Sequence, residues 1–90
     1  MHFEWDPNKA AANRRKHGVT FEEASSALRD SFSATVHDPA HSEHEERFIT
    51  FGISSKDRLL AVAHTDRGNA IRIISARLAT NSERQIYEES

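Results

Sequence analysis

Ninety residues carry twelve Lys and Arg against fourteen Asp and Glu, with no cysteine. That length fits one small domain over residues 1–90, and the missing thiols exclude a disulfide scaffold, a thiolate metal site and a cysteine nucleophile. The formal charge of −2 argues at face value against a nucleic-acid binder, which usually carries a basic excess. Twelve of the apolar residues are alanines, so large core side chains are few and a protein partner that binds only the folded chain would add stability. No apolar run approaches the roughly 20 residues of a membrane span, and Met1-His2-Phe3-Glu4-Trp5-Asp6 lacks the basic-then-apolar pattern of a secretory signal. A cytoplasmic protein with no membrane contact is expected.

The first element is a short strand over residues 2–5. Asp6-Pro7 then opens a helix, because Asp6 accepts from free N–H groups and Pro7 needs no donor at the first helical position. This helix runs to about Lys16 and stops at Gly18, with Arg14, Arg15, Lys16 and His17 at its negative end. Thr20 and Glu23 begin a second helix as a capping box; Phe21, Ala24, Ala27 and Leu28 give it one apolar face. Phe32, Ala34 and Val36 alternate with polar residues as a half-buried strand does. Residues 38–46 read as a polar loop. Three strands follow at 47–53, 58–65 and 70–77, joined by turns short enough for hairpins. Thr80 and Glu83 form another capping box and start a last helix, on which only Ile86 and Tyr87 are apolar. The order β-α-α-β-β-β-β-α predicts an α+β fold, an antiparallel sheet with helices on one face.

The charge is unevenly spread. Residues 1–18 sum to +2, residues 19–46 to −6 and residues 47–90 to +2, with +3 concentrated in 67–84. The net −2 therefore masks two basic ends, and the acidic middle is expected to face away from them. Nine of the twelve basic residues are Arg, whose planar fork matches phosphate. Arg72 and Arg77 lie among apolar residues in one strand, so each needs an anionic partner or a groove open to water. Strict alternation puts them on opposite faces; a bulge would bring them to one.

Phe3-Glu4-Trp5-Asp6, Lys9, Asn13, the run from Lys16-His17-Gly18 to Ala24, the run from Ile71-Arg72-Ile73-Ile74-Ser75-Ala76-Arg77 to Thr80, then Glu83-Arg84 and Tyr87 together resemble the BrnT family. These are toxins of type II toxin–antitoxin modules, and the likeness spans nearly the whole chain. It implies a RelE-like fold, a metal-independent ribonuclease that blocks translation, and neutralisation by a cognate, BrnA-like DNA-binding antitoxin through which alone the operator DNA would be contacted. No cofactor is implied.

Metal-free RNA cleavage needs a base for the 2′-OH proton, an acid for the leaving oxygen and cations for the charge that builds on phosphorus. Arginine cannot serve as the base. Arg77, Arg72 and Lys9 are the candidates for charge stabilisation, and His64, whose side-chain type titrates near neutral pH, is the candidate for proton transfer, with Glu83 and Tyr87 as further possibilities. Trp5 is a candidate stacking platform for a base, and Lys16, Arg67 and Tyr87 complete the candidate RNA-binding set. His37, His41 and His44 with Glu43, Glu45 and Glu46 could hold a divalent ion, yet their spacing matches no metal motif and a solvated acidic loop is the expected reading. Two other functions compete: a non-catalytic partner-binding module of the same fold, and a metal-dependent hydrolase built on the 37–44 segment.

Overall fold

The computed structural model of the chain describes residues 2–42 and 44–90. Its elements are β1 (His2–Glu4), α1 (Pro7–His17), α2 (Phe21–Leu28), β2 (Ala34–His37), β3 (Arg47–Ile53), β4 (Leu59–Arg67), β5 (Ala70–Leu78) and α3 (Asn81–Glu89), with a single 3-10 turn at Pro39–His41. Class and order are those expected. Helix starts follow the local chemistry: Asp6 accepts from the Asn8 amide at 2.9 Å, Thr20 from Glu23 at 3.0 Å, and Thr80 with Glu83 makes a complete capping box. Gly18 ends α1 at φ 69°, the left-handed region that glycine enters without steric cost.

The five strands form one sheet in the order β1-β5-β4-β3-β2. Two particulars differ from expectation. β1 pairs with β5 in parallel, an arrangement that needs a long connection, which α1, α2 and β2 to β4 supply. The helices also divide between the two faces. Val19, Phe21, Ala24 and Ala27 pack with Leu60, Val62, Ile73 and Ala76 on one face, here called the front. Phe51, Leu59 and Ala61 point the other way, and Tyr87 of α3 packs on them together with Val36, Ile49 and Ile53. The sheet is apolar on both sides, so α3 has a core of its own on the back face and does not join α1 and α2.

Two polar contacts fix α1 and α2 on the sheet. β1 pairs with β5 only as far as Arg72, which leaves the edge of β5 open beyond it. The buried Asn13 carboxamide fills that place: its Oδ1 accepts from the Ala76 amide at 3.0 Å and its Nδ2 donates to the Ala76 and Val19 carbonyls at 2.8 and 3.0 Å. Buried Glu23 accepts from Arg58 and Ser54, and the Arg58 guanidinium holds its carboxyl below the usual range. Thr20 and Glu23 therefore cap in one direction only, since the Glu23 side chain is committed elsewhere.

Candidate functional site

The position of the strand arginines is decided by one residue. In the β4–β5 ladder Ala63 faces Ser75 but His64 faces Ile73, so Ile74 is an extra residue bulged out of register. Beyond the bulge Arg72 faces Thr65, and before it Arg77 faces Ala61. Thr65 and Ala61 share the back face of β4. The bulge thus brings both arginines to one face, which uninterrupted alternation would have forbidden.

They do different things there. Arg77 donates to both carboxylate oxygens of Glu83 on α3, at 2.7 and 2.9 Å. That pairing, with the Thr80 amide, drives the Glu83 carboxyl down to about 2. Arg77 therefore anchors α3. Arg72 lies at the other end of the face, where its Nη1 comes only to 3.9 Å from Glu4. Across the sheet Arg47, Thr65 and Arg72 are direct register partners on β3, β4 and β5. They floor a cavity of about 410 Å3 walled by Lys9 of α1, Arg67, Ile74 and the loop residues Ala40, His41, His44 and Glu45. Among the described residues Lys9 and Arg47 form no salt bridge. Thr65 is buried, and among the described residues its hydroxyl has no hydrogen-bond partner. A buried, unpaired hydroxyl flanked by two guanidinium groups is suited to an anion that supplies several acceptor oxygens.

Of the candidates named from sequence, Lys9, Arg67 and Arg72 meet at this cavity. Lys16 is exposed on α1 beside it, in a shallow depression shared with Lys9, His17 and Ser75. The others lie elsewhere. His64 does not sit with the arginines, because its register partners Phe48 and Ile73 put it on the front face. There it is buried, stacked on Phe48 at 5.9 Å and hydrogen-bonded to Thr50 at 2.7 Å and Asp66 at 3.2 Å. Burial pushes its imidazole down against the opposing pull of Asp66. Trp5 meets the edge of Phe21 at 5.9 Å and packs on the front core. Tyr87 donates to Asp30 at 2.6 Å, which raises its phenol, and it lies under α3 away from the cavity.

The acidic middle does not turn away from the basic end as its charge suggested. Glu45 accepts from Arg67 through both oxygens, at 2.9 and 3.2 Å, which holds its carboxyl low and makes Ala40, His41, His44 and Glu45 one wall of the cavity. Opposite charges attract across the open end of the sheet, and only the turn of the chain decides whether they meet. The histidines of this loop do not gather round a common point: His37 contacts Glu46 and His41 contacts Asp38. No group of three or more metal-ligating side chains occurs among the described residues; Glu43 lies outside them. Arg47 and Thr65 were missed from sequence and His41 was read only as a possible metal ligand, because only strand register and loop path bring the three to one cavity.

The family model for the ribonuclease toxin, BrnT, of type II toxin–antitoxin systems matches residues 5–83. The chain belongs to the BrnT family. Among solved structures, the crystal structure of the Brucella abortus ribonuclease toxin, BrnT, superposes with a TM-score of 0.65 at 25% identity, covering 90% of this chain and 99% of that one. No protein of curated function matches the sequence. The family match runs from Trp5 through α1 and the Arg72 strand to the arginine-paired Glu83, so it spans every residue that lines the cavity. Among the described residues no helix is long and apolar enough to cross a membrane.

Proposed function

We propose that this chain is the toxin of a type II module and a metal-independent endoribonuclease. Its RNA cleavage blocks translation, and a cognate BrnA-like antitoxin, which carries the operator contacts, neutralises it. The observation that carries this reading is the Arg47–Thr65–Arg72 row with Lys9 above it, a set of donors fitted to a phosphodiester in a chain of a ribonuclease-toxin family. In this reading Arg72, Arg47 and Lys9 stabilise the charge that develops on phosphorus, which is the largest contribution available to a site of fixed cations. Arg67 and Lys16 attract the flanking backbone. Arg77 acts indirectly, by locking α3 through Glu83. Trp5 and Tyr87 pack the two cores. The exposed apolar side chains of Phe32, Leu78 and Ile86 support a permanent protein partner.

Inducible expression in a bacterium tests the reading. Growth should stop with the wild-type chain, resume with Arg72→Ala, and resume when the product of the adjacent open reading frame is supplied. A wild-type chain that leaves growth and RNA intact would favour a non-catalytic module that only binds its partner.

A further inference from the structure

The cation row stabilises charge but cannot remove the 2′-OH proton, because guanidinium and ammonium groups enter as acids already protonated. Among the described residues the cavity wall offers three side chains able to accept one: His41, His44 and Glu45. Both Glu45 oxygens are held by Arg67, so taking a proton would break that pair. His41 is placed differently. Its Nδ1 lies 2.9 Å from Asp38 Oδ2. A carboxylate at that distance fixes the proton on Nδ1 and leaves Nε2 with its lone pair free, in the tautomer a general base requires.

The loop that bears His41 is not loose. Pro39 opens the 3-10 turn that contains it. The Asp38 amide donates to the Arg47 carbonyl at 2.8 Å, and the Ser42 hydroxyl donates to the Asp38 carbonyl at 2.6 Å while accepting from the Arg47 amide at 3.0 Å. Asp38, His41 and Arg47 are thereby held as one unit, with Arg47 on the cavity floor and the imidazole on its wall. Fixed geometry between a base and the cations of the same site is what proton-transfer catalysis needs.

Resting on the ribonuclease reading above, we infer that His41 is the general base of this chain and Asp38 its positioning residue. Nε2 of His41 takes the 2′-OH proton as the 2′-oxygen bonds to phosphorus, and the P–O5′ bond breaks. The 5′-oxygen takes a proton from water and the imidazolium returns its own to solvent, leaving a 2′,3′-cyclic phosphate and a 5′-hydroxyl.

The test uses the full chain added to a bacterial translation extract, which holds mRNA both free and on ribosomes, with cleavage read by primer extension. His41→Gln should lower kcat by roughly 10²–10⁴-fold, the usual worth of a positioned base, while KM changes less than about twofold. Asp38→Asn should lower kcat by roughly tenfold, also with KM kept. Added imidazole should restore cleavage to His41→Ala, a rescue that a merely structural histidine would not show. His41→Gln at the wild-type rate would overturn the inference, as would a slow His41→Ala that imidazole does not restore. A wild-type chain that cuts no RNA in the extract would overturn the ribonuclease reading instead.

Discussion

Thr65 is the residue at which stability and function pull apart. Its buried hydroxyl lacks a partner among the described residues, and such a group costs about 1–3 kcal/mol relative to a satisfied or apolar one. Thr65→Val keeps the shape and removes the cost. It should stabilise the fold by about 1 kcal/mol, which for a domain of this size raises the midpoint of thermal unfolding by about 4–8 °C, while slowing RNA cleavage through loss of a donor at the phosphate. Unchanged cleavage would separate Thr65 from the site. Glu83 gives the opposite kind of handle. Its folded-state carboxyl lies at about 2 against an ordinary 4.5, so the fold favours the ionised form. The stability this contributes is fully present above pH 4.5 and is lost as pH falls through 2. Because Arg77 is two-fifths exposed, screening reduces the contribution to on the order of 1–2 kcal/mol. Thermal melts of wild type and Glu83→Gln between pH 7 and 2 should converge at the acid end; parallel curves would show that the pair adds nothing.

At the scale of elements, the ends of helices were legible and their destinations were not. Asp6-Pro7, Thr20, Gly18 and Thr80-Glu83 announce themselves because a cap is satisfied within a few residues of itself. Alternation likewise located β2, and the short turns between them located β3 to β5. What escaped was decided between distant residues: the Ile74 bulge is visible only against β4, the parallel place of β1 only against β5, and α3 could be assigned to the back face only through Phe51, Leu59 and Ala61. The same blindness joined His64 to the arginines, whose back-face position the bulge creates, and left Arg47 unnoticed. Two contacts now test the packing of the helices. Asn13→Ala leaves the Ala76 amide and carbonyl unpaired at a buried edge and should cost about 2–4 kcal/mol in denaturant unfolding; a loss under 0.5 kcal/mol would mean that water replaces the carboxamide. Gly52 faces α2 so closely that an added Cβ would lie 2.2 Å from the Ala27 carbonyl oxygen. Gly52→Ala must therefore shift the helix, at a cost of about 1–3 kcal/mol.

Across the whole molecule, charge is sorted by position rather than by amount. A net −2 is compatible with RNA because Lys9, Arg47, Arg67 and Arg72 converge at one end of the back face. Among the described residues Glu45 is the one acidic side chain on that wall. Glu45→Gln frees Arg67 and should tighten RNA binding, steepening the dependence of log K on log salt by about 0.7 if Arg67 then meets one more phosphate; an unchanged slope would place Arg67 outside the RNA path. The chemistry proposed for the cation row is RNA cleavage by 2′-OH attack without metal. End-group analysis of RNA cut in EDTA by the wild-type chain and by Arg72→Ala tests it most directly. Wild type should leave a 2′,3′-cyclic phosphate with EDTA present, and Arg72→Ala should be slower by about 10²-fold or more. Cleavage that stops in EDTA, or an Arg72→Ala chain as fast as wild type, would contradict it.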